Sequence, residues 1–368
     1  MAPIVIETFF VAVIYLQFIA SYGFMSNAGM KPSKSRLRDP PAASTRASID
    51  IPILCSAILD YSAVNEYTKA HYQSALFHRD RVEERIYDGR SLQSRFADEK
   101  EMLANNGLVI LASPLPDEIE WPRVQDIQRH YIPVLEKIIQ NLFPDSSYMG
   151  CCFWNPMLRG ETYTISRPRG NQTPTSNIAP MVHIDTDVGA FDLKDFLDIV
   201  DKNSVYQSDE SFTRLATEAI ERNKRFVILN FWRNIGDEPV SSSPLALYST
   251  RYGNTTLAFP DVIPLEDSKW YSFPNATKDE VIVFYQYDRN VLQISDLFHC
   301  AITANDDCLS VGRRSFDIRA LVLLDKDVPN ELDRYRRNRT RPVLSFEESG
   351  CFCDEQAAKR SEGRDSDH

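Results

Sequence analysis

Val182-His183-Ile184-Asp185 alternates apolar and polar residues, the period of an extended strand. In an extended strand residues i and i+2 share a face, so His183 and Asp185 offer an imidazole nitrogen and a carboxylate oxygen to one point. In a helix the same two side chains do not face each other. The stretch therefore reads as a strand that presents a metal. A third ligand must come from another strand, and His299, flanked by Phe298 and Cys300, is the candidate. Two imidazoles and one carboxylate with open positions form the facial donor set of a non-haem Fe(II) centre. His299 also suits a plain core histidine, but the residues downstream favour a ligand. Arg313 and Ser315 again stand two apart, and an arginine fork beside a hydroxyl suits the distal carboxylate of a 2-oxo acid. Arg319, evenly spaced from Arg313, is a rival for that carboxylate. His-x-Asp alone is a common tripeptide; the order His-x-Asp, His, Arg-x-Ser carries the reading.

Residues 226–233 (Phe-Val-Ile-Leu-Asn-Phe-Trp-Arg) make the clearest buried strand. Residues 51–59, 107–112, 148–154, 244–248, 270–273, 280–287 and 316–324 also read as extended. Residues 126–143 place Ile127, Tyr131, Val134, Leu135, Ile138, Ile139 and Leu142 at helical spacing, which predicts an amphipathic helix against a sheet. His130 on that helix reads as structural and partly exposed. Residues 79–100 are heavily charged and belong at the surface, and residues 191–225 read as a helical insertion between the metal-ligand strands. Helices first and many short strands after predict a mainly β, α+β fold: a double-stranded β-helix, or jelly roll, with flanking helices. The domain is expected over 49–330, with a charged, disordered tail expected over 331–368.

With 368 residues, 43% of them hydrophobic, the chain can bury a large core. A net charge of −11 with no evident basic face excludes a nucleic-acid partner by ordinary phosphate neutralisation. The seven cysteines are odd in number and lack the two-residue spacing of zinc sites, so they read as reduced thiols in a reducing, cytoplasmic compartment. Residues 1–28 are the exception to this picture. The apolar run within 4–25 reads as a signal h-region or a membrane anchor, and Lys31, Lys34, Arg36 and Arg38 behind it would keep an anchored domain on the cytoplasmic side. Residues 29–48 read as a linker. The sequons at Asn171, Asn254, Asn275 and Asn338 matter only on entry to the secretory pathway.

Taken in order, Leu59-Asp60-Tyr61, Tyr87-Asp88-Gly89-Arg90, the Arg159 region, Val182-His183-Ile184-Asp185, Asn230-Phe231-Trp232-Arg233, Pro244-Leu245-Ala246-Leu247, Asp279-Glu280-Val281-Ile282-Val283-Phe284, Tyr287-Asp288, Phe298-His299 and Arg313-Arg314-Ser315-Phe316-Asp317-Ile318-Arg319 resemble the fungal and bacterial hydroxylase/desaturase family. That family includes gibberellin desaturase-like and secondary-metabolite tailoring enzymes, and it resembles the 2-oxoglutarate/Fe(II) oxygenases. The likeness runs from about Ile58 to Leu324. It departs from the family pattern at Thr186-Asp187, Asn234, Arg289, Phe298 and Arg314.

The resemblance implies Fe(II) held by His183, Asp185 and His299, with 2-oxoglutarate as co-substrate held by Arg313 and Ser315. It implies O2 as oxidant and ascorbate as a candidate accessory. Hydroxylation or desaturation of a small, apolar natural product is the expected reaction. Trp232, Arg233 and Arg159 are candidates for the substrate pocket, with Trp232 equally suited to the core. Asp187, two residues past Asp185, is a rival carboxylate for the metal. A binding or scaffold protein on the same jelly roll is the alternative, and the intact ligand set speaks against it. A cupin enzyme without 2-oxoglutarate is a third reading, against which Arg313-x-Ser315 stands. The oligomeric state is open.

Overall fold

The computed structural model describes residues 51–62, 81–115, 119–144, 148–160, 171–185, 210–249, 269–289, 297–302 and 312–328. The chain divides into residues 1–49 and residues 50–368, and every described residue belongs to the second unit. The apolar segment 4–25, the linker 29–48, the tail 331–368, Thr186, Asp187 and most of the insertion 191–225 lie outside the described residues. Among the described residues no helix is long and apolar enough to cross a membrane.

Eleven described strands form two sheets. The first has the order β1 (Ile53–Asp60), β2 (Arg81–Asp88), β8 (Lys269–Ser272), β7 (Leu245–Ser249), β10 (His299–Ala301). The second runs β3 (Leu108–Ala112), β9 (Glu280–Asp288), β6 (Lys224–Asn234), β11 (Arg314–Asp327), β4 (Tyr148–Gly160), β5 (Thr175–Ser176). Neighbours in each sheet are mostly far apart in sequence, and β6 connects to β9 and β11 only across long excursions. This is the jelly-roll arrangement of two sheets, and it agrees with the expected fold class.

β2 went unread in the sequence. Residues 81–88 are charged throughout, yet Val82, Glu84 and Ile86 alternate with Arg81, Glu83 and Arg85, and Ile86 is buried. One half-solvated face explains why a charged segment is also a strand. The next residues join two of the motifs quoted above. Asp88 caps α1 (Gly89–Gln93) by accepting from the Arg90 N–H at 2.9 Å. Arg90 then donates twice to Glu280, at 2.7 and 2.9 Å, a bidentate fork that ties α1 to the start of β9.

α2 (Glu99–Asn106) starts on Asp98, whose side chain accepts from the Glu101 N–H, while Glu101 accepts from the Ala97 N–H. It ends at Gly107, whose φ of 74° only glycine adopts without strain. The predicted helix over 126–143 is present as a short turn at Val124–Asp126, a π-helical turn at Ile127–Tyr131 and α3 (Ile132–Leu142). Pro133 lacks the N–H that a regular helix would donate back to the preceding turn, and the wider π turn lies directly ahead of it. Leu135, Ile139 and Leu142 are buried at the spacing expected of one helix face. Of the insertion, α4 (Glu210–Glu221) is described; its far end, placed at 225 from sequence, is already β6.

The core sits on the six-stranded sheet. Val227, Leu229 and Phe231 of β6, with Phe316, Ile318 and Val322 of β11, are fully enclosed. Each such side chain contributes roughly 1.5–3 kcal/mol of burial. Cys55, Cys151, Cys152 and Cys300 are free thiols.

Candidate metal centre

The His-x-Asp segment pairs with strands at both ends of the five-stranded sheet. Met181 bridges Asp60 at the end of β1 in parallel, and His183 bridges His299 of β10 in antiparallel fashion. The second bridge is a complete pair: His183 N–H donates to the His299 carbonyl at 3.1 Å, and His299 N–H donates back at 3.0 Å. Directly paired residues on adjacent strands carry their side chains on the same face. The two imidazoles therefore lie side by side, with ring centres 4.2 Å apart. Asp185, two residues further on, reaches the same place.

The ring orientation is fixed by the backbone. His183 Nδ1 lies 2.8 Å from the Met181 carbonyl and His299 Nδ1 lies 3.1 Å from the Leu297 carbonyl. A carbonyl only accepts, so each Nδ1 carries the proton, and each Nε2 is left to face Asp185. The Nε2 distances to the carboxylate are 3.8 Å for His183 and 3.4 Å for His299. Burial, with His299 alongside, drives His183 down to about 3, so its ring is neutral and its lone pair available. Burial by itself would raise the Asp185 carboxyl. Arg319 outweighs it, helped by His299, and holds Asp185 well below the usual carboxylate range.

The donor set fits a metal ion. One atom from each of His183, Asp185 and His299 lies within 4.8 Å of the others, a separation that one cation can span. Asn230 donates its amide to Asp185 Oδ2 at 3.0 Å, while its own Oδ1 is buried without a hydrogen-bond partner. A buried acceptor left so is costly unless a further donor, such as a water on a bound ion, completes it.

A cavity opens beside these residues, lined among others by Arg159, Trp232, Leu245, Phe284 and Arg313. Phe284 stacks obliquely on His299, with centres 5.1 Å apart. Arg313 donates through Nε to Ser315 Oγ at 3.1 Å and through NH1 to the Ser243 carbonyl at 2.6 Å, and its guanidinium lies 5.0 Å over the Trp232 ring. Arg159, from β4, pairs with Asp317 of β11 at 2.7 Å, both side chains being nearly buried. Cys300 lines the same cavity, and burial pushes its thiol up to about 12, so it stays protonated.

Two expectations need correction. Arg233, a candidate for the substrate pocket, does not line the cavity. It is fully buried and turned away from it, since neighbours on a strand point to opposite faces and Trp232 holds the cavity side. Its guanidinium donates to the Ser113 and Lys278 carbonyls, the Ser113 hydroxyl and the Tyr131 hydroxyl. Arg319 was a rival for the keto-acid carboxylate. Its NH2 instead meets Asp185 Oδ1 at 2.5 Å. The rival carboxylate Asp187 lies outside the described residues. Sequence reasoning also passed over Asn230, although it was quoted within a strand. The i, i+2 rule applied to Trp232 would have put Asn230 on the cavity face.

Comparison with known proteins follows the same boundaries. A family model described as an oxidoreductase/YMDC permease-like domain matches residues 58–323. The chain belongs to that family. The stretch matched by the oxidoreductase/YMDC permease-like domain nearly coincides with Ile58 to Leu324, over which the sequence motifs lie. A solved structure of an iron and alpha-ketoglutarate-dependent endoperoxidase, NvfI, is similar at 19% identity and a TM-score of 0.47, covering 66% of this chain and 86% of that chain. A second structure of the same endoperoxidase in a different conformation gives 19% identity, a TM-score of 0.46 and the same coverage. No curated protein matches significantly.

Proposed function

We propose that this oxidoreductase-family protein is an Fe(II)/2-oxoglutarate-dependent oxygenase that hydroxylates or desaturates a small molecule. The observation that carries the reading is the convergence of His183, Asp185 and His299 at the wall of a cavity that also holds the Arg313–Ser315 pair.

When bound at these three side chains, iron with 2-oxoglutarate and O2 would supply the oxidant for a C–H bond. The chain's own part is positioning. The Met181 and Leu297 carbonyls hold both imidazoles in the tautomer that leaves Nε2 for a ligand role. Arg313 is the candidate for the co-substrate's distal carboxylate. Ser315 accepts from Arg313 Nε and keeps its own hydroxyl proton to donate to the same carboxylate. Trp232, lying under Arg313, limits the guanidinium's freedom and keeps water from that end of the cavity. Leu245 and Phe284 form an apolar wall beside the ligands, which suits a C–H-bearing substrate. The expectation of an apolar natural product is kept as part of the proposal; so are a cytoplasmic setting and contact with a membrane through residues 4–25.

The test is direct. The full chain is incubated with Fe(II), ascorbate and 2-oxoglutarate, and succinate is followed with and without candidate substrates. His183→Ala and His299→Ala should abolish Fe(II) binding and succinate formation together. Failure of the wild-type protein to bind Fe(II) would sink the reading. Iron binding with no turnover of any kind would favour the scaffold alternative.

A further inference from the structure

Asp185 carries two oxygens in different surroundings. Oδ1 meets the guanidinium of Arg319 at 2.5 Å, and Oδ2 accepts from the neutral amide of Asn230 at 3.0 Å. Oδ2 is also the oxygen nearer a histidine, 3.4 Å from His299 Nε2, against 3.8 Å between Oδ1 and His183 Nε2. Both partners come from the six-stranded sheet, whereas Asp185 hangs from a segment paired with the other sheet.

The placement of Arg319 follows from register. β11 pairs with β6 without interruption from Ser315 opposite Asn234 to Leu324 opposite Arg225, so Arg319 stands directly opposite Asn230. The irregularity in this region falls on the other flank, where Asp317 and Arg319 face Met157 and Trp154. There β4 takes up the extra residue, and Asn155 adopts a φ of 52°. Ser315, Asp317 and Arg319 therefore keep one face of β11, and the last of them reaches Asp185.

We propose that Arg319 is a positioning residue that confines Asp185 to one-oxygen coordination of the metal, through Oδ2. This rests on the reading of the site as a metal centre. A carboxylate oxygen has two lone-pair directions, so Oδ2 can keep its Asn230 bond and still bind an ion. Oδ1 is drawn upon by a full positive charge. A cation chelated by both oxygens would also lie closer to the Arg319 guanidinium than one bound by Oδ2 alone, and like charges oppose that approach in a buried site. One-oxygen binding matters because a second carboxylate oxygen would fill a position needed by the chelating keto acid. Outer partners of this kind change metal affinity or activity by about 10- to 100-fold.

The experiment uses the full chain loaded with Co(II) in place of iron. Electronic absorption and X-ray absorption fine structure report the coordination, and calorimetry reports 2-oxoglutarate binding to the Co(II) protein. Arg319→Met should still bind Co(II), with an added protein oxygen in the first shell and a changed ligand-field spectrum. It should bind 2-oxoglutarate at least about tenfold more weakly. Arg319→Lys, which keeps a cation on Oδ1, should restore the wild-type spectrum and affinity. Should Arg319→Met not fold, Arg319→Gln against Arg319→Lys gives the same comparison. A wild-type spectrum in the neutral variants overturns the proposal, as does loss of Co(II) from a variant whose circular dichroism and melting are native. The metal-alone spectra judge Arg319 even if wild type binds no 2-oxoglutarate, a result that would instead sink the co-substrate reading.

Discussion

Arg233→Met separates a structural arginine from a pocket arginine at a position where the sequence suggested the pocket. Arg233 is fully buried, and its guanidinium makes four hydrogen bonds: to the Ser113 carbonyl at 2.8 Å, the Lys278 carbonyl at 2.6 Å, Ser113 Oγ at 2.7 Å and the Tyr131 hydroxyl at 3.2 Å. It also lies 5.1 Å over the Tyr131 ring. Methionine keeps most of the stem but removes every donor. Two carbonyls lose a charged donor, and each buried acceptor so stranded costs about 1–3 kcal/mol. Loss of the cation–ring contact adds about 1 kcal/mol. Against this, the cost of burying a charge disappears, which offsets part of that sum. The net expected destabilisation is about 2–4 kcal/mol. At roughly 2 °C or more per kcal/mol for a domain of this size, the melting temperature should fall by about 4–10 °C. Calorimetric melting of Arg233→Met beside Trp232→Phe is the assay, with Co(II) and 2-oxoglutarate affinity measured on both. The reasoning holds if Arg233→Met melts early and binds both ligands normally. An unchanged melting temperature with lost 2-oxoglutarate binding would refute it.

Two further outcomes follow from the same structure. Burial pushes the Glu84 carboxyl above its ordinary value, with the Tyr61 hydroxyl bond opposing. The fold therefore holds this proton more tightly than the unfolded chain does, and it loses stability as pH rises through the carboxylate range. Glu84→Gln should be more stable than wild type at neutral pH and equal to it well below the ordinary carboxylate value. Urea melts at several pH values check this, and a gap that stayed constant with pH would contradict it. A Cβ on Gly89 would meet the buried ring of Phe273 at 2.8 Å and the Ser272 carbonyl at 3.0 Å. Gly89→Ala should cost about 1–3 kcal/mol in denaturant unfolding, and a neutral result would show that this packing yields easily.

Elements that depend on local period are legible in the sequence. Alternation in Val182-His183-Ile184-Asp185 and the apolar run of β6 specified strands, and the 3.6-residue stripe over 126–143 specified a helix. Side-chain direction in these elements follows from backbone geometry alone. The same rule, carried one step further, would have sorted Asn230 and Trp232 from Phe231 and Arg233. It would also have found the strand hidden in the charged residues 81–88, whose apolar face is short and whose other face is solvated.

Which strands meet is set by packing between distant segments. His183 and His299 are more than a hundred residues apart, and nothing local states that they form one antiparallel pair. Nor does spacing distinguish Arg313 from Arg319, since their even separation would put both on one face of an extended run. Register against β6 sets Arg319 opposite Asn230 and so within reach of Asp185, while Arg313 is left at the cavity beside Ser315 and Trp232. Register is a property of two strands together, and it is fixed by packing across sheets, so a single chain segment does not encode it.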